Sequence, residues 1–154
     1  MESKDEKKII SEKAENYMKE GYNCAESISL SFKEHLGIGG TLFPGLATGL
    51  GGGMGRRGSL CGAFTGSVLV IGIRIGRSDA QDRDGRERAY NATYRFWDRF
   101  EREFGNTECG ALTGCRMDDA EDRRRWLATG GPEKCTEMVG QTATILFDFL
   151  DEIE

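Results

Sequence analysis

The feature that most constrains the fold is a glycine-rich segment at residues 48–66, which carries eight glycines, two adjacent arginines and Cys61. Glycine at this density indicates backbone that adopts positive φ angles or approaches another segment closely. A helix-compatible apolar run follows, from Cys61 through Ile75. We therefore predict a tight glycine turn packed beside the start of a buried helix, with Cys61 at that start.

Part of this segment, Gly53 to Gly58, matches the dinucleotide-binding pattern G-x-G-x-x-G. That pattern requires a strand before it and a βαβ unit around it. Residues 42–49, which include Pro44, make a poor strand. We therefore favour the alternative, in which these glycines let helices and a turn pack closely.

The length and charge of the chain limit what it can be. Its 154 residues suit one domain spanning 1–154. The net charge of −5, with no dominant basic stripe, argues against nucleic-acid binding. The N-terminus shows no apolar signal-peptide region, and the longest apolar run is too short for membrane insertion. We expect a cytoplasmic protein.

Periodic apolar positions predict an all-α fold, a bundle of five to seven helices with a Gly-rich loop. Short helical turns are expected near 43–50 and after Cys109. The last helix should bury Val139, Ala143, Leu146, Phe147 and Leu150. The main helices are predicted at residues 4–20, 23–36, 61–76, 79–105, 118–129 and 132–152.

The sequence of two of these segments allows more than one interpretation. Residues 61–76 are rich in β-branched residues, as a strand would be, but the run is long, and Gly62 and Gly66 would form a flat stripe on a helix. We favour a buried helix that another backbone approaches closely. The helix at 79–105 carries an aromatic stripe, which we predict to pack in the core rather than bind a ligand. That stripe consists of Tyr90, Tyr94, Trp97, Phe100 and Phe104.

Cysteine is abundant for an intracellular chain of this length. Four of the five cysteines are predicted in or next to the first turn of a helix: Cys24, Cys61, Cys109 and Cys135. Backbone N–H groups at helix starts stabilise thiolates, and Arg56, Arg57 and Lys134 would add positive charge. No C-x-x-C pair occurs, which disfavours thioredoxin-type and zinc-knuckle sites. Either the fold assembles the four sulfurs into one pocket, or the cysteines fill the core as small hydrophobes.

The chain resembles the family of redox-active proteins named for their C_GCAxxG_C_C cysteine pattern. The resemblance spans about residues 20–150 and is most specific in the turn at 51–55 and in the segment from Cys61 to Gly66. A second segment, Cys109 to Gly114, repeats five of the six residues of the first. The resemblance implies a redox site with four signature cysteines, Cys24, Cys61, Cys109 and Cys135, with Cys115 as the substitute for Cys109.

The expected function is redox activity through these clustered cysteines. They would either ligate an iron–sulfur cluster for electron transfer or cycle between a dithiol and a disulfide. The alternative is a non-enzymatic module that binds a soft metal through thiolates or binds another protein. The cofactor is then an iron–sulfur cluster, a thiolate-bound metal or none. We expect a redox partner, and assembly into a homo-oligomer stays open.

Overall fold

The computed structural model describes residues 2–153, and within this range the protein is all-helical. The predicted class is therefore right, but the described chain has nine helices rather than five to seven. Three of them, α3, α4 and α7, have only four or five residues, too few for apolar periodicity to reveal. The helices are α1 (Glu2–Glu20), α2 (Cys24–His35), α3 (Gly45–Thr48), α4 (Gly51–Met54), α5 (Gly62–Ile75), α6 (Arg83–Phe104), α7 (Cys109–Thr113), α8 (Ala120–Ala128) and α9 (Gly131–Glu152).

The core lies between α1, α2, α5, α6 and α9. Helix α1 packs on α2 and α9, and α2 also packs on α5. All five apolar residues predicted to form the buried face of the last helix are buried in α9. Burial of such a stripe supplies most of the stability of an amphipathic helix, since helical propensity alone is weak.

Helix α5 crosses α2 at close range, as the small-residue stripe predicts. A Cβ atom on Gly66 would lie 2.9 Å from the Cα and the carbonyl oxygen of Ala25. A Cβ atom on Gly62 would lie 3.1 Å from the Cβ of Cys24. The two glycines therefore set the distance between the helices, and they bring the starts of α2 and α5 together.

The aromatic stripe of α6 is mostly not in the core, contrary to prediction. Tyr90 and Tyr94 are 66 % and 74 % exposed, and Trp97 is 37 % exposed, whereas Phe100 is fully buried. The buried face of α6 consists of Gly85, Ala92, Phe96 and Phe100. Since successive residues turn by about 100°, this face is rotated by roughly a quarter turn from the stripe. The spacing of the apolar residues predicted an apolar face on α6, but it did not show which side of that face contacts α5 and α9.

None of the helices in residues 2–153 combines the length and the apolar character that crossing a lipid bilayer requires.

Candidate functional site

Four cysteines stand at or near helix starts. Cys24 is the first residue of α2, where the Asn23 side chain accepts from the Glu26 N–H at 2.9 Å and the Glu26 carboxylate accepts from the Asn23 N–H. Cys61 is the N-cap of α5, and Cys109 is the first residue of α7. Cys135 lies slightly further in, just past the first turn of α9, because that helix already begins at Gly131.

A single antiparallel bridge joins the two repeated cysteine segments. Leu60 pairs with Glu108, which are the residues directly before Cys61 and Cys109. The Cys61 N–H donates to the Thr107 carbonyl at 2.8 Å, and the Cys109 N–H donates to the Ser59 carbonyl at 2.7 Å. Because the pairing is antiparallel, Cys61 lies opposite Thr107 and Cys109 lies opposite Ser59, so the two cysteines flank the bridge on the same face of the pairing.

The glycine turn packs against Cys109. Gly52, Gly53, Met54, Gly55 and Arg56 all have φ between 60° and 71°, so the chain makes a left-handed turn here. A Cβ atom on Gly53 would lie 2.6 Å from the Cβ of Cys109 and from the Ser59 nitrogen. Glycine is required at position 53 for two reasons: the backbone has a positive φ, and the second cysteine segment approaches it too closely for a side chain.

The structure brings Cys24, Cys61, Cys109 and Cys135 to the wall of one cavity of about 710 Å³. Residues from α1, α2, α5, α7, α8 and α9 and from the glycine turn enclose it. Cys115 lies elsewhere: it is buried against Cys109 and Met117 and borders a second cavity of about 320 Å³. All five cysteines are free thiols. We call the larger cavity the cysteine cavity.

Positive charge is present at the cysteine cavity but differs from the expected set. Arg56 lines it, as predicted, whereas Arg57 borders the cavity beside Cys115 and Lys134 borders a small neighbouring pocket. Arg123 of α8 is an additional lining residue, and its guanidinium donates to the Met117 carbonyl. Sequence reasoning missed Arg123 because it stands in a run of three arginines, where spacing does not distinguish it.

The thiols differ in acidity. The Cys24 thiol donates a hydrogen bond to the Cys135 sulfur, which lowers the pKa of Cys135 and raises that of Cys24 well above its ordinary value. Burial raises the pKa of Cys61 to about 11, although the N–H groups of Ala63 and Phe64 favour its thiolate. Burial and the neighbouring sulfurs raise the pKa of Cys109 to about 12. Cys135 is therefore the member of the group most readily present as a thiolate.

The described side chains at the cysteine cavity are not arranged around the position of a single metal ion. Among residues 2–153, no three His, Cys, Asp or Glu side chains are arranged to hold one metal ion. Cys24 and Cys135, in contrast, lie close enough for each thiol to shift the pKa of the other. The arrangement is thus suited to chemistry between two thiols.

The single histidine does not join the thiols. His35 ends α2, at the opposite end of the helix from Cys24, about 16 Å away by helical rise. It is exposed, and its ring packs on Phe147 with centroids 5.3 Å apart. A cysteine–histidine nucleophile pair with Cys24 is therefore ruled out by geometry.

Comparison with known proteins identifies the family. No curated protein and no solved structure matches the chain significantly. A family model described as "Putative redox-active protein (C_GCAxxG_C_C)" matches residues 22–149, which include all five cysteines. The chain therefore belongs to the C_GCAxxG_C_C family, as the cysteine order and the glycine turn indicated.

Proposed function

We propose that this protein is a two-cysteine redox protein in which Cys24 and Cys135 cycle between a dithiol and a disulfide. The observation that carries this proposal is the interaction between the Cys24 and Cys135 thiols, which shift each other's pKa in opposite directions. It occurs at the wall of a cavity, so a reactant can approach the same two sulfurs. Membership in a family described as redox-active supports the same class of chemistry.

The reaction uses an external disulfide as oxidant. The Cys135 thiolate attacks one sulfur of that disulfide, which forms a mixed disulfide and releases one thiolate. Cys24 then loses its proton and attacks the Cys135 sulfur, which breaks the mixed disulfide and releases the second thiol. The net change is one new disulfide in the protein and two thiols from the oxidant, a transfer of two electrons and two protons. An external dithiol drives the reverse direction.

The roles of the two cysteines follow from their acidity. A nucleophilic cysteine must be a thiolate, and Cys135 is the thiol whose pKa is lowered. Cys24, which holds the proton, is the resolving cysteine. Cys61 and Cys109 have raised pKa values, so they line the cavity as neutral thiols.

The test is to find which sulfurs pair. The reduced protein is equilibrated with mixtures of reduced and oxidised dithiothreitol, the remaining thiols are alkylated, and linked peptides are identified by mass spectrometry. We expect one reversible disulfide between Cys24 and Cys135. Cys24→Ser and Cys135→Ser should each abolish it, whereas Cys115→Ser, the matched control outside the cysteine cavity, should retain it.

Two results would overturn the proposal. One is a reversible disulfide between Cys61 and Cys109 in place of the expected pair. The other is stoichiometric iron and sulfide in protein purified without oxygen, lost in Cys61→Ser and Cys109→Ser as well as in Cys24→Ser. That pattern would assign the four cysteines to a cluster.

A further inference from the structure

We infer that the cysteine cavity takes a small anionic disulfide, a low-molecular-weight molecule whose carboxylates accompany the reacting sulfurs. This inference rests on the proposed function, because it names the oxidant of the Cys24–Cys135 pair. It is carried by the size of the cavity, the chemistry of its wall and the charge at its lining.

The size favours a small molecule over a protein. A volume of about 710 Å³ falls within the range of small-molecule sites. Cys135 is only 8 % exposed, and it lies among the starts of several helices rather than on a protruding surface. The disulfide of a folded protein could reach this sulfur only if the surrounding helices separated, whereas a small disulfide can enter the space already present.

The wall matches the soft, apolar middle of a disulfide. Three thioether side chains line the cavity, Met18, Met117 and Met138, together with Leu112 and Trp126. Methionine sulfur is polarisable, and its flexible side chain adapts to ligands of varied shape. These side chains favour binding of the methylene and sulfur atoms of a small disulfide next to Cys24 and Cys135.

The charge at the lining favours carboxylates. Arg56 and Arg123 line the cavity, and within the described residues no Asp or Glu does so. This local excess of positive charge contrasts with the net charge of −5 of the whole chain. Arg56 is exposed on the left-handed turn and forms no ion pair with any carboxylate in residues 2–153. Its guanidinium can therefore bind a carboxylate, which it matches in geometry.

The experiment compares three disulfides of similar size and different charge. They are 3,3′-dithiodipropionate with two carboxylates, bis(2-hydroxyethyl) disulfide without charge, and cystamine with two ammonium groups. The rate at which each forms the Cys24–Cys135 disulfide is divided by its rate with a neutral reference thiol in solution, which removes differences in intrinsic reactivity. We expect the normalised rate for dithiodipropionate to exceed that for cystamine by about tenfold or more, and to fall as salt is added.

Neighbouring arginines provide the matched variants. Arg56→Met should lower the normalised rate with dithiodipropionate by about tenfold and lower the rate with the neutral disulfide by a clearly smaller factor. Arg57→Met removes the same charge one residue along the chain, beside the other cavity, and should have little effect.

The outcomes separate this inference from the proposed function. Equal normalised rates for the three disulfides, equal effects of the two arginine variants, or faster oxidation by an exposed protein disulfide would overturn the inference while the Cys24–Cys135 pair still formed. Failure of any oxidant to form that pair would overturn the proposed function itself.

Discussion

The thiol of Cys24, at the start of α2, and the thiol of Cys135, in the last helix of the described chain, interact at the wall of one cavity and shift each other's pKa in opposite directions. This contact makes two thiols of the same type unequal. One is held protonated, while the other is stabilised as a thiolate. Such a difference is what a nucleophilic and a resolving cysteine require.

The first prediction concerns the pH dependence of Cys135 alkylation. In the wild type, the rate with iodoacetamide should rise with pH through a pKa below the usual value near 9, because Cys24 stabilises the thiolate. Cys24→Ala removes the hydrogen-bond donor while Cys135 stays buried, so the midpoint of the pH dependence of alkylation should move to higher pH. Cys24→Ser keeps a hydroxyl donor and should restore part of the shift. An unchanged midpoint in Cys24→Ala would contradict the assignment, and Cys115→Ala is the control.

The second prediction concerns the left-handed glycine turn. Gly53→Ala should destabilise the protein by about 3 kcal/mol, because the new methyl group meets both a positive φ and the side chain of Cys109. Gly55 is the matched control: its φ is 60°, but an added Cβ would contact nothing within 4 Å in the described structure. Gly55→Ala should therefore cost only about 1 kcal/mol. Urea unfolding under reducing conditions measures both, and equal losses would contradict the close packing at Gly53.

The third prediction concerns the crossing of α5 and α2. Gly66→Ala should cost about 2 kcal/mol, because its methyl group would press on the backbone of Ala25. Gly72 lies on the same helix, and an added Cβ there would meet no atom within 4 Å among the described residues. Gly72→Ala should stabilise the protein by about 0.5–1 kcal/mol through helical propensity. Thermal unfolding monitored by circular dichroism distinguishes the two, and a neutral Gly66→Ala would show that the helices can separate freely.

The fourth prediction concerns stability at alkaline pH. The pKa of Cys61 is about 11 in the folded protein and about 9 when unfolded, so the folded state holds its proton more tightly. Its contribution is complete below pH 9 and is lost between about pH 9 and 11, where the unfolded state binds fewer protons. The free energy of unfolding should therefore fall by about 2 kcal/mol more between pH 9 and pH 11 in the wild type than in Cys61→Ala. Parallel pH profiles for the two proteins would contradict the burial of Cys61 as a neutral thiol.

Local patterns in the sequence determined most of the helices and the placement of the thiols at helix starts. The start of α2 is encoded locally, because Asn23 and Glu26 form a capping box within four neighbouring residues. The close approach of α5 was visible because Gly62 and Gly66 lie on one helical face. The start of α6 lies at Arg83, four residues after its predicted start, since several nearby residues could serve as a cap, whereas the final helix begins within one residue of its prediction.

Only the tertiary structure decided which sulfurs meet. Spacing along the chain could not show that Cys24 contacts Cys135, or that Cys109 rather than Cys115 borders the cysteine cavity, because these depend on how distant helices pack. The same reason explains why the tyrosines of α6 are exposed. Periodicity predicts an apolar face on a helix, but the part of that face that becomes buried depends on how the neighbouring helices pack against it. The sequence alone determined the helices and the cysteines near their starts through short-range backbone forces. The packing of those helices, driven by burial of apolar surface across long separations, decided the pairing of the thiols and the charge around them.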